Sequence, residues 1–533
     1  MNDPLVQSEP GWRLDWLTPV RCRLILALVL GFGLVSHLFF LTNNCPYDLA
    51  GDEAHYWLWS RKLDLAYYSK PPMVALIMRA STEIFGNEMW AVRLPALLFA
   101  IGTSLCTYWL VKTLFESERL ALGTVLLTHT VPLFIAGSII MTIDAPFYFF
   151  WALTTCFCVQ AWTSERRWAW IALGVTAALG NLSKYAMPIW FVGLLTFLAL
   201  DRRSRRWLRS PWPYVSFLIC LTSFIAPLIW NIQHDWVTFK HVSTQTGFKS
   251  SGVRWLGPFE MIGTQAGVVG PILAVVIVMA ILPSARNRLG NRVRERLFLL
   301  CIGSGIFIFV LLDSLITKVQ PNWPAPAYFT FVPLGAWWIA QKLQFKHSWK
   351  PVRGFFWTHV AIGLFAMNYM HSSDRLYPLW KSLGVDFRRF DSQLVKMRGP
   401  AEFGEAVGRA LESSAPNTFV LGPNYMDSSQ LKFYTPGRPT VYNVGPFLSP
   451  GHRSRLSQFD IWPETDLTSK DLIGRDAIFI GRLDEEGAIR AMFDEVEELS
   501  EVKIVRRGVE VRSKRMYRLH NFHGVVRDGP VSN

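Results

Sequence analysis

The sequence is short of charge. Asp, Glu, Lys and Arg make up 18% of its 533 residues, against 51% hydrophobic residues and a mean hydropathy of +0.22. A soluble chain of this length carries a more charged surface, so the composition points to a membrane protein. Cysteine is scarce, with seven in all. All but Cys22 and Cys45 lie inside apolar runs, and no pair has zinc-ligand spacing beside histidines. A disulfide framework and a zinc module are therefore not supported. There is no internal repeat, no low-complexity tract and no G-x-x-x-x-G-K-[ST] phosphate loop.

What the chain has instead is long apolar runs. The first, Leu24 to Leu41, follows Arg13, Arg21 and Arg23. Its length suits a bilayer crossing, which takes roughly 20 residues. A cleaved leader would have a shorter apolar core and a small-residue cleavage site, so this reads as a retained helix with a cytoplasmic N-terminus. Runs follow near 93–111, 120–140, 143–162, 168–181, 186–200, 213–230, 261–283, 297–316, 325–341 and 354–371. The expectation is a polytopic α-helical protein of about eleven spans.

Basic residues support this alternation. Arg166 and Arg167, the group from Arg202 to Arg209, the group Arg286, Arg288, Arg292, Arg294 and Arg296, and then Lys342, Lys346, Lys350 and Arg353 all fall in connections that this topology places inside. The net charge of +14 is therefore a topology signal, and nucleic acid is not needed to explain it. Two outside loops are long, 43–92 and 231–260. After residue 371 the chain turns polar, with strand-like runs at Thr418–Leu421, Ala477–Ile480 and Val502–Val505. This predicts a membrane domain over 1–371 and a small soluble α/β domain over 372–533 on the non-cytoplasmic face.

The first outside loop opens with GDEAHYW, Gly51 to Trp57. The letters DEAH match a helicase box, but such a box works with a phosphate loop that this chain lacks. An acidic pair at the outer mouth of a membrane helix is costly unless it is paired or functional. Asp52 reads either as a general base for an acceptor hydroxyl or as an interfacial carboxylate that caps a helix or pairs with arginine. Lys70-Pro71-Pro72 then fixes one cation on a rigid turn. Met73 to Phe85 is too short to span and has Arg79 and Glu83 on one side, which predicts a helix in the interface. A base, a positioned cation and an interfacial helix suit a substrate with a lipid tail and a phosphate head.

GDEAHYW, YYSKPP and AVRLP, followed by MTIDAPFYFFW at 141–151, NLSKYAMPIW at 181–190 and KVQPNWPAPAYF at 318–329, together resemble the GT-C membrane glycosyltransferases. The branch they resemble holds lipid A aminoarabinose and galacturonic acid transferases and is related to protein O-mannosyltransferases. The resemblance covers most of the first 340 residues. It implies an inverting transferase of the bacterial inner membrane. Such an enzyme moves one sugar from a polyprenyl-phosphate carrier to a lipid or glycan acceptor such as lipid A, among membrane lipids and without nucleic acid. A lipid-linked sugar flippase and a protein O-glycosyltransferase are the alternatives.

Carried over position by position, the resemblance makes Asp52 the catalytic base with Glu53 beside it. Lys70 becomes the phosphate-binding cation. Where the aminoarabinose branch often has arginine three residues after that aspartate, this chain has His55, which with Tyr56 is a candidate acceptor contact. Asp144, just before Pro146, reads as a helix N-cap and as a functional carboxylate. Lys184 reads as a snorkelling lysine or a second phosphate contact. Arg93 reads as a phosphate contact or a helix anchor. Lys318, Asn322 and Trp323 read as substrate contacts or as a rigid turn with an interfacial tryptophan. His234, Asp235 and His241 have no recognised ligand spacing. No metal or other cofactor is expected, a divalent cation being the one alternative.

Overall fold

The computed structural model describes residues 16–245, 252–282, 292–343, 349–389, 391–448, 454–483 and 487–525. Arg13, Arg286, Arg288, Lys346 and the Lys350 side chain, used above for topology, lie outside the described residues. The chain divides into two compact units. One holds Met1–Phe39, Lys70–Met73 and Arg93–Tyr369; the other holds Phe40–Ser69, Val74–Val92 and Met370–Asn533.

The first unit is helical, and every apolar run of the sequence lies in a helix or a broken helix pair. Four stretches among the described residues are long and apolar enough to cross a membrane on their own: Pro19–Asn43, Met89–Phe115, Trp212–Gln233 and Val293–Asp313. Two bent pairs also pass when each is taken together. Glu118–Thr128 and Pro132–Ile139 meet at 72°, and Gly257–Val269 and Pro271–Ile281 at 113°. Both second helices begin with proline, which starts a helix well and cannot continue one. At the sharper bend Gly270 has φ +95, a left-handed conformation that glycine adopts without strain. The remaining runs are helices that are shorter or less apolar. The core is rich in buried aromatics, among them Trp151, Trp170 and Trp190, each fully buried.

The second unit is built on a five-stranded sheet in the order β2-β1-β3-β5-β4, with β1 Phe419–Gly422, β2 Val441–Asn443, β3 Ala477–Ile480, β4 Phe493–Arg506 and β5 Val509–Phe522. The first three pair in parallel, and the last two form a long antiparallel hairpin joined to β3. Side chains alternate across the sheet. Val420, Ile478 and Ile480 pack into one cluster with Phe403 and Val407, while Phe419, Leu421 and Phe479 pack into another with Leu467 and Leu519. Both faces of the parallel strands are thus covered, as such strands require. The three strand-like runs of the sequence correspond to β1, β3 and the end of β4. Apart from Lys70–Met73, the residues of the first long loop fold within this unit. Asp48 accepts through Oδ2 from the Gly399 and Ala401 N–H groups at 3.2 and 3.1 Å, at the start of the helix Pro400–Glu412. The Tyr434 hydroxyl accepts from the Leu49 N–H at 2.7 Å, and Gln430 donates to the Leu49 carbonyl at 2.7 Å. Met73–Phe85 is a helix with Val74, Ala75 and Met78 buried, Leu76, Ile84 and Phe85 exposed, and an Arg79–Glu83 ion pair at 2.9 Å.

Candidate functional site

In the helical unit, three residues from separate motifs form one polar cluster. Asp144 opens the helix Asp144–Ser164, where a carboxylate is favoured by the helix dipole. It is not the N-cap: that position belongs to Ile143. Its oxygens go elsewhere. Oδ1 accepts from Lys184 Nζ at 2.8 Å, and Oδ2 accepts from the Asn322 side-chain amide. Lys184 ends the helix Arg167–Ser183 as its C-cap, a position that favours a cation. Its ammonium also lies 5.6 Å from the Phe147 ring centroid. Tyr148, one residue further along, donates to the Asn322 carbonyl at 3.1 Å. Both ion-pair side chains are largely enclosed, with 18% of Lys184 and 13% of Asp144 exposed. The Lys184 ammonium is thus held in an ion pair with Asp144.

In the sheet-containing unit, the helix Gly51–Arg61 carries GDEAHYW. Glu53 is buried, and its Oε2 accepts from the Ala50 N–H at 2.8 Å, which satisfies an orphan donor at the helix start. Asp52 is exposed. Its Oδ1 accepts from the Tyr425 hydroxyl at 3.1 Å, and that hydroxyl accepts from Arg455 Nη2 at 2.7 Å. Tyr425 opens the helix Tyr425–Tyr434, capped by Asn424, whose Oδ1 accepts from the Met426 and Asp427 N–H groups at 3.0 Å each. A Cβ at Gly51 would run into the Met426 side chain, so glycine is what lets these two helix starts meet.

His55 lies one turn on from Asp52 and is 4% exposed. Its Nδ1 is 2.9 Å from Ser429 Oγ, and its ring stacks on Phe459 with centroids 5.7 Å apart. Burial first, and then the Arg455 charge, push its pKa down to about 3. An unfolded histidine, with a pKa near 6.5, takes up a proton that the native ring refuses. Stability therefore rises with pH between about 3 and about 6.5 and is independent of this ring above that window. The slope is at most about 1.4 kcal/mol per pH unit. The unfolding temperature of the purified protein is expected to drop between pH 6.5 and 4.5, and to drop less in His55→Gln. Parallel pH profiles for the two proteins would sink this account. Tyr56 is also buried, with its ring 5.0 Å from that of Trp59.

Lys70 is half-buried in its Lys-Pro-Pro turn, Arg93 is fully buried in Met89–Phe115, Lys318 is exposed and Trp323 is half-buried. His234 stacks on Trp230 at 4.0 Å, and its Nδ1 is 2.8 Å from the Trp230 carbonyl oxygen. Among the described residues no group of three or more His, Cys, Asp or Glu could hold a metal ion. Sequence reading missed Tyr425 and Arg455. Asn424 and Asp427, three residues apart, do signal a helix start at 425, but nothing local says that Tyr425 meets a residue 373 positions away. It also missed Asp427, held below the usual carboxylate range by Lys514 and Arg512 in spite of burial.

Residues 69–230 match the family of dolichyl-phosphate-mannose-protein mannosyltransferases. The lipid A galacturonosyltransferase RgtD of Rhizobium johnstonii is 29% identical over 320 residues, which is 60% of this chain and 66% of that protein. An undecaprenyl phosphate-alpha-4-amino-4-deoxy-L-arabinose arabinosyl transferase of Pseudomonas aeruginosa is 26% identical over 163 residues, 30% of this chain and 29% of that one. The alignments thus span just under two thirds of the first relative and about a third of the second. The crystal structure of ArnT from Cupriavidus metallidurans bound to undecaprenyl phosphate superimposes with a TM-score of 0.60 at 16% identity, over 95% of this chain and 98% of that one.

Proposed function

Starting from this shared GT-C fold, we propose that the chain is an inverting glycosyltransferase that moves a single sugar from a polyprenyl-phosphate carrier to lipid A or a similar envelope glycolipid. The observation that carries this reading is the Asp144–Lys184–Asn322 cluster, which joins residues of three motifs singled out for this chemistry. The activities for which the relatives are named, galacturonosyl and aminoarabinosyl transfer, support the same substrate class. In this reading the protein sits in a bacterial inner membrane, with its N-terminus cytoplasmic and residues 372–533 periplasmic.

The chemistry follows from the donor. The carrier already holds the sugar in activated form, so no nucleotide site is needed. Asp52 takes the proton of the acceptor hydroxyl, whose oxygen bonds to the anomeric carbon while the bond from that carbon to the phosphate oxygen breaks. The electron pair leaves with the polyprenyl phosphate. Lys70 and Arg93 stabilise that developing charge as fixed cations, and Lys184 can do so while its own charge is balanced by Asp144. Glu53 acts as the cap that fixes the helix carrying Asp52. His55 and Tyr56 act as packing behind it. Asn322 orients Asp144, while Lys318 and Trp323 remain acceptor contacts.

The test is reconstitution of the full chain in lipid vesicles with lipid A and either undecaprenyl-phosphate-linked galacturonic acid or the aminoarabinose equivalent. Mass spectrometry of the lipid A fraction should show the addition of one sugar mass from one of the two donors. Movement of the intact donor across the vesicle bilayer without any addition would favour the flippase. Failure with lipid A but sugar addition to a co-supplied protein would favour the O-glycosyltransferase.

A further inference from the structure

The contacts around Asp52 have a direction that chemistry forces. An arginine guanidinium has only donors, so in the 2.7 Å contact with Arg455 the Tyr425 oxygen must accept. Tyrosine has one hydroxyl proton, and a carboxylate has only acceptor sites. The proton of Tyr425 therefore lies in the 3.1 Å contact with Asp52. The Arg455 guanidinium also lies over the Tyr425 ring, 4.8 Å from its centroid, which holds both side chains in register. Tyr425 is buried, and burial first, with the charge of Asp52 second, raises its pKa, so the proton stays on the tyrosine. One oxygen of Asp52 is thereby pinned by a donor of fixed direction. The other, Oδ2, has no hydrogen-bond donor among the described residues.

We propose that Tyr425 and Arg455 are positioning residues for Asp52, the arginine orienting the tyrosine hydroxyl and the hydroxyl locking the carboxylate with Oδ2 turned to the acceptor hydroxyl. This rests on the reading of Asp52 as the base. A general base works only when one lone pair faces the proton it removes at hydrogen-bond distance. An exposed aspartate without a fixed partner samples several rotamers, and most of them aim the lone pair elsewhere. In the transfer step the acceptor proton passes to Oδ2, while Tyr425 keeps its own.

The experiment uses the full chain in vesicles with whichever of the two donors turns over. Tyr425→Phe removes only the hydroxyl. It is expected to lower kcat about tenfold, the effect of losing one hydrogen bond to a charged group, with KM for the donor unchanged. Arg455→Ala should do the same, and Arg455→Lys should recover part of the loss. The double variant Tyr425→Phe/Arg455→Ala should be no slower than the slower single variant, because the two act as one unit. Full kcat in Tyr425→Phe and Arg455→Ala, alongside an inactive Asp52→Asn, would overturn the proposal and leave the base assignment standing. Full activity in Asp52→Asn would overturn the base assignment instead. A loss in Tyr425→Phe that tracks only a lower yield of folded protein, at unchanged kcat per folded molecule, would also overturn the proposal.

Discussion

Asp52→Asn is expected to lower sugar transfer by about 10²- to 10⁴-fold, the usual contribution of a positioned base, in a protein that folds like its parent. The fold should survive because asparagine keeps a side-chain oxygen that can accept the Tyr425 hydroxyl, and because the cap at the helix start is made by Glu53 through Ala50. What asparagine lacks is the ability to take a proton. The loss should appear in kcat, with donor binding intact, since Lys70, Arg93 and Lys184 are untouched. The check is transfer kinetics on reconstituted protein together with its unfolding temperature. A variant that keeps its rate would move the base role to Glu53 or Asp144. Glu53→Gln discriminates further: it keeps an acceptor oxygen for the Ala50 N–H, so it should fold and turn over close to the parent rate if Glu53 acts as a cap.

The second large effect is one of stability. Lys184→Met leaves the Asp144 carboxylate 13% exposed, with Asn322 as its remaining side-chain donor. Removing one partner of a buried ion pair typically costs about 3–5 kcal/mol, because the other charge stays desolvated. Lys184→Met/Asp144→Asn removes both charges and should recover most of that loss. The ordering of unfolding temperatures in detergent, parent first, double variant next and Lys184→Met last, checks the claim. A double variant no more stable than Lys184→Met would show that Asp144 is not held as a charge by Lys184. Both variants should transfer sugar poorly, since both lose the cation assigned to the leaving phosphate.

The helical membrane architecture is legible along the chain, because run length and apolar content are local properties that a bilayer reads directly. The same locality made β1, β3 and the end of β4 legible. It did not reveal β2, which has three residues, or β5, whose polar positions obscure the strand pattern. Asp52, Lys70, Asp144, Lys184 and Asn322 could be singled out because their motifs are short and contiguous. Tertiary structure alone decided what those residues touch. It turned Asp144 from an apparent N-cap into the partner of Lys184 and Asn322, and made Glu53 a cap where Asp52 is not. It also brought the segment Phe40–Ser69 into the unit that holds the sheet, and with it set Asp52 against Tyr425. Hydrogen-bond partners 40, 178 and 373 residues apart are chosen by how helices pack and by which glycine lets them approach, and no periodicity along the chain encodes that choice.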